Sequence, residues 1–381
     1  MAGRRTTIGS SLATALSAIP PFLVGALTPA IREDIDLDTS RLGTLVAAYF
    51  LAGALAAVPG ARLAERLGPR RGLLVTGTVT SLSLVAIALL ADNWIQLGAF
   101  LTIAGIANGM VHPAGNLAII SGVSVARRGL AFGVKQAAAP VATMFAGIAL
   151  PLFAFNLGWR GTFVLATLLL PLVVFVIPRD LTGSRALDGT VKKLTDPLLI
   201  ATAVASALAF GGATTVGAFL VDSVTSNGGR PSVAGAVLTV ASLACIAVRI
   251  TIGWQTDRMK RPSIGLVATL MAVGSGGLFV LGLYPPGWWP LAAVIGLAAG
   301  WGWPGLLYHA VAATYPASPA GATAVATTGN ALGAAIGPFI FGFVASRFSF
   351  SVAWTSSGAS LLVAAILMAF VGRRRQAAAD A

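Results

Sequence analysis

Short polar segments divide this chain at regular intervals, and the stretches between them are apolar all round rather than on one face. Twelve such stretches can be marked, at 10–31, 41–63, 72–91, 95–119, 129–153, 159–177, 197–221, 232–254, 263–284, 289–312, 322–345 and 351–371. A helix needs about 20 apolar residues to cross a bilayer, and each stretch is close to that. A helix apolar on every side requires an apolar environment. The pattern predicts an all-α membrane protein with twelve transmembrane helices. The first run follows MAGRR and leads straight into the second, so it is read as helix 1 rather than as a cleaved leader. Prolines at 20, 21, 29, 59, 113, 140, 151, 304 and 338 fall in or beside these runs. In lipid, such breaks require neighbouring helices to take up the freed carbonyls.

Composition agrees with the pattern. Only 10% of the 381 residues are charged and 56% are hydrophobic, whereas a soluble domain carries about 25% charge. With a mean hydropathy of +0.87, a soluble enzyme is excluded. A nucleophile–base–acid cluster and a phosphate-binding loop are also missing from the sequence. The single Cys245 and two histidines give no spacing for a structural zinc site. Neither a metal nor a cofactor is expected.

The net charge of +13 matters through its distribution. With both termini in the cytoplasm, 18 of the 25 Lys and Arg residues fall in inner segments and 5 in outer ones. That is the positive-inside bias. It predicts a multi-pass protein of the cytoplasmic (inner) membrane with both termini cytoplasmic. Anionic lipid headgroups, rather than nucleic acid, are then the partners of the basic loops.

The longest polar connection, 179–196, splits the chain into halves at 1–178 and 197–381. A repeat supports that division. GARLAERLGPRR at 60–71 and GWQTDRMKRP at 253–262 occupy matching places, and Glu65 and Asp257 are 192 residues apart, as are Arg66 and Arg258. One six-helix unit has been used twice.

These loops resemble the signature that the major facilitator superfamily of secondary transporters carries between helices 2 and 3. Glu65, Arg66, Gly68, Arg70 and Arg71 take its acidic, basic and glycine places, with Ala61 where the first glycine is usual and Pro69 interrupting the basic pair. The second copy keeps Gly253, Asp257, Arg258 and Arg261, and GWRGTF at 158–163 looks like the family's opening of helix 6. The resemblance covers essentially the whole chain. It implies two pseudo-symmetric six-helix bundles around a central cavity, alternating access, and function as a monomer. It also implies that Glu65, Arg66, Arg70, Asp257, Arg258 and Arg261 form a gating latch at the cytoplasmic helix ends. Anchoring to lipid is the alternative role for the arginines.

Polar groups inside the spans are the candidate cavity residues, because each is costly in lipid. Asn108, His112 and Asn116 are four apart and share one helix face. Lys135 lies six positions beyond Gly129, about 9 Å into its span. It either reaches back to the headgroups or, with Gln136, meets an anion on the substrate path. Arg249, four residues before Gly253, reads mainly as the approach to the second latch. Trp301 and Trp303 either line the cavity or fill space, and Asn330 adds a hydrogen-bonding group. His309, beside Tyr308, reads as a rim residue. None of the 12 acids is placed deep in a span, so the cavity disfavours a cation. The sequence points to a transporter of a small organic or inorganic anion, coupled to protons. The alternative is a proton-driven efflux pump for neutral or lipophilic compounds.

Overall fold

The computed structural model describes residues 2–124, 127–181, 196–256, 264–315 and 318–380. Among them are twelve helical passes long and apolar enough to cross a membrane: Gly3–Ile31, Thr39–Leu67, Pro69–Leu90, Trp94–Gly122, Leu130–Leu152, Asn156–Val176, Pro197–Ser226, Pro231–Gln255, Ile264–Leu283, Trp289–Thr314, Gly321–Arg347 and Phe350–Ala377. They are called spans 1 to 12 below. Each falls on one of the apolar runs, and the differences lie at the ends. Span 1 starts seven residues early because polar Arg4 to Thr7 continue its helix.

The boundaries have local causes. Asp38 caps span 2 by accepting the Arg41 N–H at 2.7 Å, and Asn93 caps span 4 by accepting those of Ile95 and Gln96. Each supplies an acceptor to a donor that the first turn of a helix leaves orphaned. Gly68, at φ +78, turns span 2 into span 3, and Pro69 opens the latter. At the face that carries the termini, Asp196 caps span 7 and is held by Tyr315 and Arg375.

Proline sets the interior breaks. It has no N–H, so the carbonyl four residues earlier loses its helical partner. Three such carbonyls are taken by side chains. The Ser17 carbonyl, freed by Pro21, accepts the Tyr49 hydroxyl. Gly300, freed by Pro304, accepts the Trp303 indole N–H at 2.7 Å. Gln136, freed by Pro140, accepts an N–H of Arg249. Span 5 is accordingly divided into Arg128–Gln136 and Ala138–Ala149, and span 10 into Trp289–Gly300 and Pro304–Thr314.

The first six spans pack mainly among themselves, as do the last six, and the two sets meet through spans 1 and 7, 2 and 11, and 5 and 8. Exchanging each span for the one six places along turns this set of pairs into itself, as an axis relating two copies requires. Glycine makes the crossings close. A Cβ on Gly147 would lie 2.7 Å from the Gly235 carbonyl, and one on Gly43 would lie 2.6 Å from that of Pro338. Without a hydrophobic drive between helices in lipid, such close backbone approach supplies the packing. Both contacts lie towards the face opposite the termini. There, Arg32 at the end of span 1 forms an ion pair with Asp222 of span 7. The halves are closed together on that face.

Candidate functional site

The site begins with the short first segment of span 5. Lys135, in its last turn, is only 4% exposed. Its Nζ donates to Asn116 Oδ1 at 2.7 Å and to the His112 carbonyl at 3.2 Å. Its stem lies against Gly115, where a Cβ would meet Lys135 Cε at 2.7 Å. The ammonium is therefore bound to span 4 rather than extended to the headgroups. The three-residue stripe of span 4 is divided in use. Asn108 Oδ1 accepts from Ser17 of span 1 at 3.3 Å, Asn116 holds Lys135, and the His112 side chain is exposed.

Arg249 of span 8, read in the sequence mainly as the approach to the second latch, is held in the structure by backbone carbonyls. It is 8% exposed, and it donates Nε and Nη2 to the Trp301 carbonyl at 3.0 and 2.6 Å. Its third bond, Nη1 to the Gln136 carbonyl, crosses between the halves. The guanidinium also sits 5.2 Å from the centre of the Trp301 ring. Gln136 thus contributes its backbone to this contact. Trp301 and Trp303 are fully buried and fill space rather than lining an open cavity. Trp301 packs edge-on against Phe22 of span 1 and Phe210 of span 7.

The charge balance is the informative feature. Lys135 and Arg249 each lie about 10 Å from the termini-side ends of their spans, joined through consecutive residues 135 and 136. Both donate to backbone carbonyls, and Lys135 also to a side-chain amide; neither has a carboxylate partner among the described residues. Two buried cations with neutral acceptors make a strongly electropositive locus in a low-dielectric setting. On the second half, Asn330 is 5% exposed and donates to the Tyr308 hydroxyl at 2.6 Å. An apolar groove of about 440 Å³ between spans 8 and 10, lined by residues such as Val233, Val237 and Leu291, offers an ion no such partners.

The expected latch is not engaged among the described residues. Glu65 and Arg66 are exposed and make no ion pair there, and the buried Nε of Arg70 has no partner there. Asp257, Arg258 and Arg261 lie outside the described residues. Among the described residues a cross-half ion pair stands on the opposite face. Asp222, placed by sequence at an outer helix end, is fully buried, accepting from Arg32 and, at 2.9 Å, from the Thr39 hydroxyl. The sequence does carry a signal for it. Arg32 and Asp222 are 190 residues apart, almost the repeat interval, so opposite charges occupy equivalent places across the axis. The GWRGTF segment proves structural: the Trp159 indole donates to Asp34 at 2.8 Å, and Arg160 caps the carbonyls of Ala88 and Ala91 at 3.0 Å.

Comparison with known proteins agrees with this architecture. The family model described as Major Facilitator Superfamily matches residues 10–201 and again 202–381. Monocarboxylate transporter 11 of Homo sapiens is 28% identical over 301 residues, covering 76% of this chain and 62% of that protein. The probable sulfoacetate transporter SauU of Cupriavidus necator is 26% identical over 141 residues, 37% of this chain and 33% of its own. Multidrug resistance protein MdtG of Proteus mirabilis is 28% identical over 149 residues, 36% of each chain. The chain therefore spans less than two thirds of the length of these relatives. Among solved structures, a D-xylose-proton symporter superposes with a TM-score of 0.80 at 15% identity, covering 97% of both chains.

Proposed function

This chain belongs to the Major Facilitator Superfamily, and from that premise we propose that its cargo is a small organic or inorganic anion. It is a multi-pass membrane protein and a secondary transporter working by alternating access. The observation that carries the anion reading is the pair Lys135 and Arg249, both buried and both without a carboxylate partner among the described residues. Carbonyls and an amide hold these cations in place without neutralising them. An anion arriving between the halves gains charge-assisted bonds to one cation from each half, whereas an organic cation is repelled. The names of two relatives, a monocarboxylate transporter and a sulfoacetate transporter, support the same class of cargo.

The remaining elements follow from that cargo. The division at 179–196 separates the halves that rock against each other. His112 and Asn116 face the path on the open side, because a polar stripe turned to acyl chains would be costly. The basic termini and loops support a cytoplasmic position for that open side, and with it an inward-facing state. The exposed Glu65 and Arg66 are then latch residues waiting for partners in the other state. Coupling to protons belongs to the same proposal.

Equilibrium binding tests it. The purified chain should be stabilised by small carboxylates or sulfonates and not by organic cations of equal size. Stabilisation by lipophilic neutral compounds alone would overturn the reading in favour of efflux.

A further inference from the structure

The apolar groove between spans 8 and 10 takes no part in the proposed anion site, and its place in the bilayer says what fills it. Val233, Ala236, Val237 and Val240 of span 8 and Leu291 and Val294 of span 10 line about 440 Å³. Residues 233, 237 and 240 share one helix face, and the small Ala236 leaves a depression between the valines. Val233, Val240 and Leu291 are each about half exposed. Beside Ala236, Gly235 crosses Gly147 of span 5 at close range, so the halves are shut at this level. The groove therefore opens to lipid and not to the path between the halves.

Its upper end is marked by two helix caps. The Arg230 carbonyl accepts the N–H groups of Val233 and Ala234 at 3.1 and 3.2 Å, and the Trp288 carbonyl accepts that of Ala292 at 3.0 Å. Both side chains are exposed, and Trp289 stacks on Tyr284 with 5.9 Å between ring centres. Indole and phenol rings gather at the membrane–water interface, which puts this rim at headgroup level. Val240 lies ten residues beyond Arg230, about 15 Å along the helix, and half of a hydrocarbon core is about 15 Å. The groove thus has the reach of one acyl chain of one leaflet. Segments 223–231 and 284–290 hold Arg230 and no Asp or Glu, and Arg230 makes no ion pair among the described residues. The N-termini of two helices add their dipoles to that positive rim.

We propose that the groove is a site for one phospholipid with an anionic headgroup, its acyl chain lying along spans 8 and 10 and its headgroup at Arg230 and Trp288. An apolar wall below a cation and an indole matches the two ends of such a lipid. A second copy of the chain or a neutral lipophilic compound would cover the wall and leave the charged rim unused. The site is independent of the anion reading, which stands or falls on other residues.

The test is lipid add-back to the delipidated full chain in detergent, read by native mass spectrometry. The probes are phosphatidylglycerol and phosphatidylcholine with identical acyl chains, and glycerol phosphate as a headgroup alone. Basic loops on the other face also attract anionic lipid, so the share of the groove is the lipid that Ala236→Leu removes. That substitution fills the depression with an apolar side chain facing the bilayer, and Leu291→Trp fills it from the opposite wall. Each should remove one bound lipid per chain. The lipid so removed should be phosphatidylglycerol about fivefold more tightly held than phosphatidylcholine, the factor that one basic residue contributes at a membrane surface. Arg230→Gln should level the two. Equal retention of both lipids by the wild-type chain overturns the proposal, as does lipid binding unchanged by both groove-filling variants. Glycerol phosphate bound as tightly as the whole lipid would make the rim an ion site and overturn the acyl-chain assignment. A wild-type dimer that both groove-filling variants dissociate would assign the groove to a second copy and overturn it too.

Discussion

Replacing Lys135 by methionine isolates the charge at the centre of the proposed anion site. Methionine has nearly the same length and no ammonium, so the space beside Gly115 stays filled. What is lost without cargo is the pair of bonds to Asn116 Oδ1 and the His112 carbonyl, at 2.7 and 3.2 Å. The offset is relief from burying an ammonium that is 4% exposed. These terms oppose one another, so Lys135→Met should fold and express like the parent. With an anion bound, only the loss remains. A hydrogen bond to a charged group contributes about 1.5–3 kcal/mol, and 1.4 kcal/mol is tenfold. Affinity should therefore fall roughly 10- to 150-fold. Lys135→Arg should recover part of this, because a planar fork does not reproduce a compact ammonium. Calorimetric titration with the tightest-binding acid reads the change. Unaltered affinity in a folded Lys135→Met protein would refute the reasoning and leave Lys135 as a strut between spans 4 and 5.

Three further outcomes follow from the geometry. Asp222→Asn removes the buried charge partner of Arg32 and should shift the population towards opening on the face opposite the termini. The rate at which a cysteine introduced near that end of span 7 is labelled checks this, and an unchanged rate counts against the pair as a gate. Gly147→Val puts a side chain where Gly235 and Thr239 already lie, so the tight crossing of spans 5 and 8 is lost. Labelling on the same face should rise and cargo affinity on the termini side should fall. At the termini face, burial pushes the Asp196 carboxyl up, but bonds from Tyr315, the Leu198 N–H and Arg375 outweigh it and hold it below the usual carboxylate range. A depressed pKa stabilises the fold at pH values above the unfolded-state pKa, and that contribution disappears as pH falls through the folded value. The melting temperature should drop in that acid range, and Asp196→Asn should flatten the drop; identical acid profiles would remove Asp196 from the cause.

The spans are legible in the sequence because hydropathy and length alone decide whether a helix can cross a bilayer. The repeat is legible because Glu65 and Asp257 keep one interval. The site is legible only in part. Lys135, Asn116, His112 and Asn108 lie on adjacent spans, and periodicity places the last three on one face. Arg249 depends on a carbonyl freed by Pro140 more than a hundred residues away, a relation that hydropathy does not encode. Trp301 and Trp303 resemble cavity residues because tryptophan suits either role, and the break at Pro304 turns both into the core. Tyr308 is inconspicuous beside His309, although its distance from Asn116 equals the repeat interval. Asp222 reads as a helix end because its partner Arg32 sits across the axis between the halves.

Uptake into proteoliposomes tests the central claim most directly. The wild-type chain, reconstituted with and without an imposed pH gradient, should accumulate a radiolabelled small carboxylate or sulfonate, and Lys135→Met and Arg249→Met should abolish most of that flux at equal protein content. Movement of neutral lipophilic compounds with no flux of any small anion, unchanged in both variants, would contradict it.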